Sequence, residues 1–317
     1  MHRRFIELLL AFAVGGLIVG LVLWFYMARN NHSEDRSERL KPAVIAPGSP
    51  PGTHHAPMVT RAGSRVNVEQ KSQALNERYA KHLVIPRDSS VFPESWRRHP
   101  INGDITVLVA SIRARATELM IRAMKKYPPE VIWENLGSVF LVSGLRFYGG
   151  ISYGGTFSRS DVYIVIDAPE RGYTDSYVEA LFHQEFSSVL LYRHRTRFPL
   201  ESWRRVNGKG FKYLGTCALE GNRGKDGGAQ AIERGVANPG NSRQISDLTR
   251  GILTEYSKST VENDFNHYAG KLFMNDPWFW QMVVKHGGVK SKMELAVLFY
   301  SRLDRRMNRE WFNKVSR

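Results

Sequence analysis

The sequence predicts an α+β domain with a small mixed sheet, preceded by one N-terminal transmembrane helix. Residues Leu8 to Met27 run for twenty positions without a charge. Strand-like runs and amphipathic helical spacings mix between Val68 and Arg317. The aromatic share of 11%, with seven Trp, supplies apolar surface for a core.

Each element is read in chain order. The run Leu8 to Met27 is about as long as a helix needs to cross roughly 30 Å of hydrocarbon. Arg3 and Arg4 precede it and keep the N-terminus cytoplasmic, while Trp24 and Tyr26 mark the far interface. The following Tyr-Met-Ala-Arg lacks the small-x-small pattern of a cleavage site, so residues 1–27 read as a signal anchor. The expected location is a bacterial inner membrane, single-pass, with the C-terminal domain periplasmic or extracellular. Residues 28–67 carry Pro42, Pro47, Pro50, Pro51 and Pro57 among Gly, Ser and His and read as a disordered linker. Residues 68–317 form the extracytoplasmic domain.

Within that domain a helical pattern covers Gln70 to His82, a strand-like run covers Ile105 to Ile112, and a helix covers Ala116 to Tyr127 until Pro128 and Pro129 stop it. Ser138 to Phe147, a stretch with Gly149, Gly150, Gly154 and Gly155, and Val162 to Ile166 read as strands of one sheet, the Gly-rich piece being an edge. No GxGxxG and no GxxxxGK[ST] is present, so nucleotide binding has no local support. The single Cys217 excludes an intrachain disulfide. The ten His include no HExxH string.

Tyr177 to His194 has the spacing of an amphipathic helix, with Val178, Leu181, Phe182, Phe186 and Val189 on one face. Glu185 falls inside that apolar arc. A carboxylate there needs a partner or a task.

His183-Gln184-Glu185-Phe186-Ser187-Ser188, following a strand, resembles the active helix of zincins, and more closely that of bacterial zinc-binding peptidase-like proteins with a His-His-Glu-Phe core. Trp203 to Tyr213 and Thr254 to Ala269 are similar to two further segments of those proteins, so the resemblance spans Ser138 to Asp304. It implies a zincin-like fold, a zinc cofactor, a peptide substrate, Glu185 as general base, and a metal held by some of His183, Glu262, Asp264 and His267. The helices carrying Glu185 and Glu262 should then pack together. The chain departs from the pattern at Gln184 and Ser188, which occupy the two imidazole positions.

Charge points elsewhere. The net charge is +15, and Arg193, Arg195, Arg197, Arg204, Arg205, Lys209 and Lys212 crowd one stretch. Such a run suits anionic lipid or an acidic envelope polymer, whereas no nucleic-acid motif accompanies it. Two functions follow: a membrane-anchored zinc metallopeptidase-like hydrolase with weakened or lost catalysis, or a non-catalytic envelope-binding protein.

Overall fold

The computed structural model describes Gln70 and residues 73–220, 231 and 240–315. The expected anchor 1–27 and linker 28–67 lie outside the described residues. Among the described residues no helix is long and apolar enough to cross a membrane.

The fold is mixed α+β around a six-stranded mixed sheet. Its strands are β1 (Leu83–Val84), β2 (Asp104–Val107), β3 (Val139–Phe147), β4 (Ile151–Tyr153), β5 (Gly155–Ser158) and β6 (Asp161–Val165). β3 is the hub because its two halves pair differently. Its first half runs parallel to β1 and β6, with Val139 opposite Leu83 and Val162. Its second half runs antiparallel to β2 and β4, with Leu145 opposite Ile105 and Tyr153. β5 returns antiparallel along β6 and forms the Gly-rich edge that the sequence implied.

Alternation along the strands sorts the core into two layers. Val162 and Ile164 of β6, with Val139 and Leu141 of β3, face the helices. Tyr163, Val165, Val142 and Leu145 face the other way, onto Phe92, Ile105 and Phe147. The helices are α1 (Arg113–Met124), α2 (Pro129–Asn135), α3 (Asp175–Arg193), α4 (Leu200–Val206), α5 (Val261–Phe273), α6 (Pro277–Lys285), α7 (Gly287–Leu303) and α8 (Arg309–Lys314), beside shorter turns.

Two expectations shift. The strand expected over Ile105 to Ile112 ends at Val107 and passes into a 3-10 turn at Ala110–Ile112. Val107 and Val109 are exposed while Leu108 between them is buried, so the chain keeps a core contact there as it leaves the sheet. The prolines expected to end a helix do separate two, because α1 stops at Met124 and Pro129 then opens α2 at its first position. A ring nitrogen without a proton costs nothing there.

Candidate functional site

α3 is placed from its N-terminus. Thr174 caps it by accepting from the Tyr177 amide at 3.3 Å. Arg115 of α1 ties that end down by donating to Asp175 Oδ1 at 2.9 Å and to the Asp167 carbonyl at 2.8 Å. At 100° per residue the central turns then present three chemically different faces.

The first face meets β5. A Cβ placed on Gly155 would lie 2.8 Å from Glu185 Cγ, and one on Gly154 would lie 3.0 Å from the Tyr177 hydroxyl. Glycine at these positions lets the edge strand cross the helix directly over the half-buried Glu185. Burial, with Tyr173 and Glu185 nearby, pushes the Tyr177 phenol up to about 12.

The second face meets α5, whose cap is Thr260, accepting from the Asn263 amide. Gly270 again permits close approach, since a Cβ there would lie 3.0 Å from Gln184 Nε2. One and two turns along α5, Ser188 Oγ donates to Glu262 Oε1 at 2.7 Å, and the Asn266 amide lies 2.8 Å from the same hydroxyl. Cys217 is buried beside this group. Burial pushes its thiol up to about 12, with the Glu262 carboxylate adding to the effect.

The third face, with His183, points toward α1. His183 is wholly buried, its Nδ1 lies 3.0 Å from the Tyr127 hydroxyl, and its ring stacks on Phe273 at 4.6 Å. Its Nε2 faces Glu179 Oε1 at 3.8 Å. Burial pushes this imidazole down to about 4, against the pull of Glu179. Burial alone would raise Glu179, but hydrogen bonding to His183 and Lys126 outweighs it and brings the carboxyl to about 2. Lys126 Nζ stands 2.7 Å from Glu179 Oε1.

The remaining expected ligands are placed elsewhere. Asp264 is wholly buried, and its Oδ2 accepts from Lys292 Nζ at 2.6 Å, Tyr213 Oη at 2.6 Å and Trp203 Nε1 at 2.9 Å. Burial pushes its carboxyl up and the Lys292 ammonium down. His267 is buried edge-on to Tyr256, at 6.0 Å between rings, and burial pushes it down to about 3.

Of the four expected ligands, therefore, only Glu262 meets the Gln184 and Ser188 face of α3. Among the described residues no three His, Cys, Asp or Glu side chains gather closely enough to hold a metal ion. The donor chemistry does not fit zinc either. An amide and a hydroxyl stand at the imidazole positions, and the hydroxyl already donates to the Glu262 carboxylate.

Residues not singled out from the sequence complete the picture. Asn266, Gly270 and Lys292 all lie on helices packed against α3 or α5, and nothing in local sequence distinguishes them. Comparison with protein-family models, with curated proteins and with solved structures finds no match for this chain.

Proposed function

We propose that this chain is a zincin-like relative of zinc peptidases that has lost the chemistry, and that it serves as an envelope-binding protein held at the outer face of a bacterial cytoplasmic membrane. The observation that carries the reading is the bond from Ser188 to Glu262. It joins α3 to α5 at the point where the resemblance calls for an imidazole and a metal. A neutral hydroxyl stands there and donates to the carboxylate. Glu185 has lost the electrophile that would make it a useful base.

Elemental analysis of the purified full chain tests this. The parent should retain far less than one zinc per chain and should not cleave an unfolded protein substrate. Gln184→His with Ser188→His restores two imidazoles one turn apart beside Glu262, and should bring retention to about one zinc. Stoichiometric zinc in the parent, with peptide cleavage abolished by Glu185→Gln, would overturn the loss of chemistry. No gain of zinc in the double variant would remove the zincin-like reading as well.

A further inference from the structure

The basic run between Arg193 and Lys212 separates into two kinds of cation. Arg193 donates to Asn135 Oδ1 at 3.2 Å and to the Glu134 carbonyl at 3.1 Å. Arg197 and Arg302 each donate to the other's backbone carbonyl at 2.7 Å. Arg204 pairs with Glu201 and Glu220. These three serve the fold. Arg205, Lys209 and Lys212 are exposed and form no ion pair among the described residues.

The segment presenting them is rigidly held. Gly208 and Gly210 turn it at φ 79° and 81°. Asn207 Nδ2 donates to the Tyr213 hydroxyl at 2.9 Å, and that hydroxyl is anchored in turn on buried Asp264. Arg250 closes the arrangement from another part of the chain. It donates to the Asn207 carbonyl at 3.3 Å, and its guanidinium lies 5.9 Å over the Phe211 ring. A fourth cation is thereby fixed beside the first three.

Arg250 follows the short helix Ile245–Thr249, whose first residue is 74% exposed. By helical rise and rotation Ile245 lies roughly 8 Å along that axis and about 140° around it from Arg250, and exposed Arg243 precedes it. An acidic polymer offers an isoleucine nothing. A lipid surface offers headgroup phosphates to the cations and an apolar layer to the side chain beside them.

We propose that Arg205, Lys209, Lys212 and Arg250 form a docking ridge for an anionic lipid surface, with exposed Ile245 entering the interface from the far end of the Ile245–Thr249 helix. The ridge is separate from the Glu185 face and stands whether or not that face retains chemistry.

The test uses the full chain in nanodiscs of phosphatidylcholine alone or of phosphatidylcholine mixed with phosphatidylglycerol. A polarity-sensitive fluorophore on Ser246→Cys reports docking, because Ser246 is exposed and the native Cys217 is buried. Emission should shift to the blue only in acidic discs, and the shift should fade between roughly 0.05 and 0.5 M salt. Arg205→Gln, Lys209→Gln and Lys212→Gln together should weaken docking by about fivefold per charge. Ile245→Ser should leave a weaker, wholly salt-sensitive attachment. Near-ultraviolet circular dichroism checks that the variants keep the native fold. Equal emission in neutral and acidic discs overturns the proposal. It is also overturned if soluble polyphosphate gives the same shift in neutral discs while Ile245→Ser changes nothing, since the ridge would then be a polymer site.

Discussion

The two faces of α5 carry carboxylates with opposite roles. Asp264 and Glu262 are two residues apart, which turns them about 160° from each other on the helix. Asp264 points at wholly buried Lys292 and Trp203 and half-buried Tyr213, where a single oxygen takes three donors. Glu262 stays half-buried and reaches across to Ser188 on α3. A carboxylate on a buried helix face is therefore no evidence for a site by itself, and the charge of its partners decides. Asp264 answers an ammonium and locks α4, α5 and α7 together. Glu262 accepts from the Ser188 hydroxyl and ties α5 to α3.

The sharpest way to break this comparison is at Lys292. Lys292→Met leaves the Asp264 carboxylate buried without its counter-charge, and should cost about 3–5 kcal/mol of stability. Adding Asp264→Asn in the same chain should recover much of that loss. Denaturant unfolding followed by the fluorescence of buried Trp203 reads both. Strictly additive losses would show that the pair is not coupled, and Asp264 would lose its structural role. The matching change on the other face, Glu262→Gln, keeps a hydrogen bond to Ser188 and should cost well under 1 kcal/mol.

A second comparison sets His183 against Glu185 on α3. Both were expected at one site, yet two residues of helix turn them to nearly opposite sides. His183 is held neutral by burial, at about 4, and buried His267 at about 3. Both folded values lie below the ordinary 6.5, so the unfolded chain binds more protons and stability must fall as pH drops. The loss begins near pH 6.5 and, for His183, is complete near pH 4, amounting to roughly 3 kcal/mol. Glu179 acts in a lower window, because its depressed carboxyl adds stability that is lost only between pH 4.5 and about 2. His183→Gln should flatten the slope above pH 4. A slope left unchanged in that variant would mean that His183 takes up its proton alike in the folded and unfolded chain, as an exposed group does.

These contrasts separate what local sequence can encode from what it cannot. Strands β3 and β6, the Gly-rich edge and the helix beginning near Asp175 were legible, because alternation, glycine clusters and 3.6-residue spacing are local signals, whereas the two-residue β1 was not. The pairing of the Glu185 helix with the Glu262 helix followed from the resemblance, and the bond from Ser188 to Glu262 realises it. The roles of His183, Asp264 and His267 were not legible. Each is decided by residues far along the chain, Tyr127, Lys292 and Tyr256 respectively, and residue type alone does not distinguish a ligand from a satisfied core group. Helical phase would have separated His183 from Glu185, but the resemblance placed both at one site. The basic run looked uniform for the same reason, since Glu220 and the Arg302 carbonyl that engage Arg204 and Arg197 are not its neighbours in sequence.

A smaller expected effect than that of Lys292 sharpens the contact between β5 and α3. Gly155 does not have a positive φ, so its backbone accepts alanine. The obstacle is steric, a Cβ at 2.8 Å from Glu185 Cγ and 3.1 Å from its Oε1. Gly155→Ala should therefore cost about 1–2 kcal/mol as the edge strand or the Glu185 side chain moves aside. Trimming that side chain in the same protein, with Glu185→Ala, should remove most of the cost. Gly149→Ala provides the contrast, because a Cβ there meets nothing within 4 Å while its φ of +80° strains any side chain. Its cost should be indifferent to residue 185. Measured by the same unfolding assay, rescue of Gly155→Ala and not of Gly149→Ala fixes Glu185 directly beneath the edge strand. Equal behaviour of the two glycines would mean that β5 does not cross α3 at Glu185, and the Glu185 face would have to be sought elsewhere on the helix.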